Sequence, residues 1–159
     1  MSALMRLSHR LSTWAIPMAL AACAAAMPAP AAAQTTVVAQ DAWMREPLPN
    51  RSESAIFVVL ENTGTEARSV VSASTAIAEK TELHNMSMEN GMMKMAPVKA
   101  IELKAKAKTE LKPGSYHIMV FGLKEKPAAG ATVPLTLTLD NGQTLAVTAT
   151  VRKVEGMRK

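Results

Sequence analysis

The chain has 159 residues, a length suited to one domain, and 48% of them are apolar against 19% charged, the balance of a globular rather than a disordered protein. Its formal charge of +5 falls to +3 once Arg6 and Arg10 of the leader described below are set aside, leaving 16 basic against 13 acidic residues, too small an excess to specify a nucleic-acid partner. The single cysteine, Cys23, precedes the folded region, which excludes a disulfide, a thiolate nucleophile and a thiolate metal ligand from the domain.

The first 33 residues have the layout of an export signal. Basic Arg6 and Arg10 precede a mostly apolar run from Leu11 to Met27, and the small residues Pro28 to Ala33 form a cleavage segment. Pro17 interrupts the run, which falls short of the ~20 apolar residues a membrane-spanning helix needs. Cleavage after Ala33 leaves a mature domain of residues 34–159 beginning at Gln34. Leu20-Ala21-Ala22-Cys23 also resembles a lipobox, so the alternative is a lipoprotein signal of residues 1–22 with Cys23 lipidated. A membrane is a partner only in that second case.

Beyond Thr36 no stretch has a helical apolar period, and short β-rich runs follow one another. The predicted strands are Val37 to Trp43, Ala55 to Glu61, Ser69 to Ser74, Glu79 to Met88, Met92 to Val98, Tyr116 to Leu123, Val133 to Leu139 and Leu145 to Val151. Asn62-Thr63-Gly64, Asn90-Gly91, Pro113-Gly114 and Asn141-Gly142 supply the turns, and both Asn-Gly pairs suit two-residue hairpins because both positions tolerate positive φ. Leu135, Leu137 and Leu139 alternate with Thr136 and Thr138 as in a half-buried strand. Leu60, Leu83, Ile118, Val120, Leu137 and Val147 are expected in the core. The pattern predicts an all-β sandwich or barrel in one domain.

The chemistry lies in methionine and histidine. Four of the 12 methionines and one of the three histidines fall in the leader, and five of the remaining methionines lie between Met86 and Met95. A methionine run can be adaptable core filling or a sticky surface. Geometry weighs against filling: a two-residue turn at Asn90-Gly91 sets Glu89 opposite Met92, Met88 opposite Met93 and Met86 opposite Met95, so His84, Met86, Met88, Met93 and Met95 share one face. His84 is then diagonal to Met95, at the ~7–8 Å that long side chains bridge. His117 and Met119 share a face of a later strand whose other face, Ile118 and Val120, is apolar. Both histidines of the domain thus occur in a His-x-Met pair. Thioether and imidazole together suit Cu(I) rather than zinc, which recruits thiolate or carboxylate, or calcium, which needs an oxygen cage.

His84, ten residues, Met95, twenty-one residues, then His117-Ile118-Met119 resembles the signature of the PCuAC family of periplasmic copper chaperones. So do Leu83-His84-Asn85-Met86, Asn90-Gly91-Met92-Met93-Lys94-Met95, Pro97-Val98, the segment from Leu111 to Met119, and Ala42-Trp43-Met44-Arg45. The resemblance covers nearly all of Val37 to Arg152. It implies a cupredoxin-like Greek-key β-sandwich and an accessible Cu(I) site of His84, Met95, His117 and Met119, with Met86 as an auxiliary ligand. It also implies copper delivery to the binuclear centre of cytochrome c oxidase subunit II, alongside a Sco-type copper protein. The tail from Glu155 to Lys159 departs from members with a His/Met-rich extension, offering only Met157.

Other functions fit less well. A blue-copper electron carrier requires a cysteine that the domain lacks. An enzyme would need Glu82, Glu89 or Glu110 fixed against a histidine, and nothing in the sequence fixes them, so Glu82 reads as a solvated edge carboxylate. Copper buffering or resistance without a dedicated oxidase acceptor shares every ligand with a chaperone. A monomeric, non-enzymatic periplasmic protein is expected.

Overall fold

Ala55 to Leu60 is six apolar residues in succession, and a strand can carry such a run only if both of its faces are covered. In the computed structural model, which describes residues 36–153, that segment lies at the centre of a hydrogen-bonded path of strands. The strands are β1 (Val37–Arg45), β2 (Glu53–Asn62), β3 (Arg68–Ser74), β4 (Ala78–Glu89), β5 (Met92–Pro97), β6 (Ile101–Leu103), β7 (Ala107–Leu111), β8 (His117–Leu123), β9 (Thr132–Leu139) and β10 (Thr144–Arg152), with no helix among the described residues. The leader, Cys23 and Met157 lie outside the described residues.

The strand order is β5-β4-β8-β2-β1-β10-β9-β3-β6, with β7 also on β2. β1 and β10 run parallel and the other neighbours antiparallel. β8 enters between β4 and β2, and β10 between β1 and β9, which is Greek-key rather than meander connectivity. β2 changes partner midway: Glu53 to Ile56 pair with β8, and Val58 to Asn62 with β7. The sheet thereby turns over on itself, and alternate side chains of β2, β3, β6, β8, β9 and β10 meet in one apolar core. The cupredoxin-like all-β sandwich read from the sequence is the fold observed. Leu60, Leu83, Ile118, Val120, Leu137 and Val147 are all buried in it.

Two strands escape the sequence reading. β6 is three residues long, too short for alternation to show, and β7 is a Lys/Ala/Glu-rich segment of weak β propensity held by pairing with β2. The two Asn-Gly pairs also differ. Asn90 and Gly91 both have positive φ, 52° and 77°, and form the expected two-residue turn. At the other pair only Gly142 is left-handed, at 81°, and Leu139 N–H donates to the carbonyl of Gln143, which makes a three-residue loop. The Asn141 side chain sets this by accepting from Gln143 N–H, so Leu145 faces Leu137 where a two-residue turn would have set it opposite Thr138.

A bulge in β1 shapes the opposite face. Gln40 pairs with Val59 but Trp43 with Phe57, so Asp41 and Ala42 together oppose one residue, with Asp41 at φ 48°. Val37 and Ala39 point to the core before the bulge, and Ala42 and Met44 after it. The change of parity places Trp43 on the outer face, where its ring lies 4.4 Å from that of Phe57. Leu60, fully buried in the second half of β2, tests the shared core. Leu60→Ala is expected to cost about 2–5 kcal/mol in urea unfolding, through lost burial and the cavity left behind.

Candidate metal centre

The pairing of β4 with β8 assembles the centre. His84 is opposite His117, Glu82 opposite Met119 and Lys80 opposite Phe121, so these side chains rise from one face while Leu83, Ile118 and Val120 enter the core on the other. The imidazole centroids are 5.8 Å apart and both histidines are buried. β5 adds the third segment, in the register the sequence anticipates: Glu89 with Met92, Met88 with Met93, Met86 with Met95. This brings Met95 Sδ to 3.2 Å from His117 Nε2. Of the sequence-predicted ligands, His84, His117 and Met95 therefore converge, Met119 stands half-buried on the same face of β8, and Met86 is the rung partner of Met95.

Hydrogen bonds divide the work between the ring nitrogens. Pro113-Gly114 is a turn with Gly114 at φ 85° and Ser115 N–H donating to the carbonyl of Lys112. The turn presents the Ser115 carbonyl, which accepts from Met86 N–H at 3.3 Å and from His117 Nδ1 at 2.9 Å. His117 is thus the Nδ1–H tautomer, with the Nε2 lone pair directed at Met95. On His84 the roles reverse. Nε2 donates to Glu82 Oε2 at 2.8 Å, and buried Nδ1 has no hydrogen-bond partner. Each ring is left with one unspent lone pair.

Glu82 is the residue that sequence reasoning undervalues. Hydrogen bonds from Lys80 and then from His84 hold its carboxyl below the usual range, so it is a carboxylate at neutral pH. Instead of a solvated edge group, it is the partner that fixes the His84 ring. Strand alternation put the two on one face, but only the structure shows the contact. Phe57 and Phe121, whose rings stand 6.2 Å from His117 and His84 respectively, are further neighbours that no sequence pattern marks.

A profile of the LpqE-like family, itself described provisionally as a lipoprotein family, matches residues 37–151. The chain belongs to the LpqE-like family. One curated relative, Lxx21020 of Leifsonia xyli subsp. xyli (strain CTCB07), carries a similarly provisional lipoprotein name and is 31% identical over 158 residues, spanning 95% of this chain and 93% of that protein. Among solved structures, Cu(I)-DR1885 of Deinococcus radiodurans is 31% identical, covers 89% of this chain and 90% of its own, and superposes with a TM-score of 0.59. The copper-bound PCuAC domain of PmoF2 is 15% identical, with 75% and 94% covered and a TM-score of 0.65, a likeness of fold alone. The PCuAC resemblance read from the sequence holds.

The candidate donors of this LpqE-like domain form a soft, neutral set: two imidazole nitrogens with free lone pairs and thioethers from β5 and β8. No group of three or more His, Cys, Asp or Glu that could hold a harder ion occurs among the described residues. The orphaned Nδ1 of His84 and the close approach of Met95 to His117 fit a soft monovalent ion, which would give both lone pairs an acceptor.

Burial lowers the pKa of His117 below the ordinary imidazole value, and the nearby Arg45 cation acts in the same direction. The Ser115 carbonyl opposes them. His117 therefore stays neutral at neutral pH. The unfolded chain takes up a proton at the ordinary imidazole pH that the native ring refuses, so native stability falls as pH drops from that range toward the lower native value. In nitrogen-15 NMR of the metal-free protein at neutral pH, His84 should appear as the Nε2–H tautomer and His117 as the Nδ1–H tautomer, with the His117 titration midpoint below that of a free imidazole. Identical tautomers on the two rings would contradict the hydrogen-bond assignment.

Proposed function

We propose that the domain is a copper chaperone that binds one Cu(I) as cargo through His84, Met95, His117 and Met119 and passes it to an acceptor protein. The observation that carries this reading is the meeting of His117 Nε2 with Met95 Sδ at 3.2 Å, next to a His84 ring whose buried Nδ1 is unpartnered. Imidazole and thioether at that range are a site for soft Cu(I). Met86 is the auxiliary ligand, because its pairing with Met95 keeps a further sulfur at the same rung. One relative supports copper as the ion: DR1885 is described in Cu(I)-bound form.

A carrier rather than a catalyst suits the arrangement. Met95 is 48% exposed while both histidines are buried, so an acceptor can reach a sulfur ligand first and displace it before the imidazoles. In this reading the acceptor is the binuclear copper centre of cytochrome c oxidase subunit II, with a Sco-type protein as a co-worker. Residues 1–33 direct export to the periplasm, or residues 1–22 do so with Cys23 lipidated. The lipoprotein wording of the family description supports export.

Met95→Leu and Met119→Leu keep apolar bulk and remove sulfur, so each should leave the fold intact and clearly weaken Cu(I) binding in competition with a colorimetric chelator. X-ray absorption of the loaded protein should show mixed sulfur and nitrogen ligation. Unchanged affinity in a His84→Gln, Met95→Leu, Met119→Leu triple variant would sink the ligand assignment. Glu82→Ala, which frees the His84 ring, is expected to lower Cu(I) affinity by about 10–100-fold, the usual cost of losing a carboxylate that orients a metal-bound imidazole. Mixing the loaded protein with the metal-free subunit II domain should assemble its binuclear centre, followed by absorption spectroscopy. Failure with that acceptor, with binding intact, would favour copper buffering.

A further inference from the structure

The hairpin of β4 and β5 shows more sulfur than the four-ligand site employs. Met88 is 68% exposed, Met92 71% and Met93 60%, unusual values for a side chain that ordinarily packs inside. Their placement is ordered. Val98 N–H donates to the carbonyl of Leu83, which marks that pair as a hydrogen-bonded one. Counting along the antiparallel register, Met86 with Met95 and Met88 with Met93 are then non-hydrogen-bonded pairs, the kind whose Cα atoms lie only about 4.5 Å apart and whose side chains stand closest. Both pairs share the face of His84.

The result is a ladder of two thioether rungs. The inner rung, Met86 and Met95, adjoins the imidazoles through the 3.2 Å approach of Met95 to His117. The outer rung, Met88 and Met93, lies two residues farther toward the turn, a step of about 7 Å along the strands. The left-handed Asn90-Gly91 turn fixes the rungs in register. The ion pair of this hairpin, Lys94 with Glu89, joins residues that alternation assigns to the other face, so the Lys94 ammonium does not lie among the sulfurs. Met92 belongs to that other face as well.

We propose that Met88 and Met93, with Met86 shared between rungs, form a second, weaker site for Cu(I) made of thioethers alone, through which the ion passes between the exterior and the His/Met centre. Soft neutral sulfur selects a soft monovalent cation, and the absence of imidazole from the outer rung makes it the weaker of the two. Ligand exchange can then proceed one sulfur at a time, with no need to strip the ion to water between the surface and His117. The inference rests on the chaperone reading, because the ladder leads to the centre assigned there.

The test is NMR of the protein carrying carbon-13 methionine methyl groups, titrated anaerobically with Cu(I), and with Ag(I) as a redox-inert probe. The first equivalent should move the methyls of Met95 and Met119, and further metal should move Met88 and Met93 but not Met92, which is equally exposed on the opposite face. The surface variant Met88→Leu with Met93→Leu should lose the second event, keep the first, and release Cu(I) to a chelator several-fold more slowly. Methyls of Met88 and Met93 that stay still, or that move no more than Met92, overturn the second site while leaving the chaperone reading in place. Still methyls at Met95 and Met119 would instead overturn the chaperone reading itself.

Discussion

Everything at this centre depends on the alignment of β4 with β8. Because His84 sits opposite His117, one pleat of two strands delivers both imidazoles to the same side and both flanking apolar residues, Leu83 and Ile118, to the core. A slip of one residue in that pairing would send the imidazoles into the hydrophobic interior and its aliphatic side chains outward. The burial of Leu83, Ile118 and Val120 therefore fixes the side to which His84, His117 and Met119 point. Fold stability and site geometry are here the same constraint.

Around that alignment the protein supplies orientation more than affinity. The Pro113-Gly114 turn delivers a carbonyl to His117, and Glu82 delivers a carboxylate to His84, so neighbouring residues choose which nitrogen of each ring remains free. Neither ring has to reorganise to accept an ion. Glu82 also places a negative charge within one imidazole of a centre whose direct donors are all neutral, offsetting part of the charge of a bound cation without joining the set that must be displaced. Phe57 and Phe121 flank the imidazoles, and Trp43 packs against Phe57 from outside. The β1 bulge turns Trp43 to that side of the sheet.

Much of this was legible in the sequence because the relevant signals are local. Asn90-Gly91 dictated a hairpin register, the register dictated which methionines share a face, and alternation in Ile118, Met119 and Val120 dictated which side of β8 is apolar. The residues that share the His84 face could be named because each strand needed only its own pattern to be oriented. Non-local features stayed hidden. β7 is a strand only because β2 lies beside it, and the double burial of β2 depends on partners that come from distant segments. The Asn141-Gly142 loop misled because its dipeptide matches the two-residue turn, whereas its geometry follows from a side-chain hydrogen bond. The role of Glu82 required a distance, and alternation supplies only a side.

The same exposure that would let an acceptor reach sulfur in the proposed transfer leaves that sulfur open to oxidants. A thioether converted to its sulfoxide becomes a polar group with a hard oxygen, a poor partner for a soft ion. Met88, Met92, Met93 and Met95 stand outside the core, whereas Met44 is fully buried within it. Oxidative damage would thus disarm the protein while sparing its architecture, and because methionine sulfoxide is enzymatically reducible, the lesion can be reversed without replacing the molecule. A folded but silenced protein, restored by repair in place, is the form of failure to which this distribution of methionine leads.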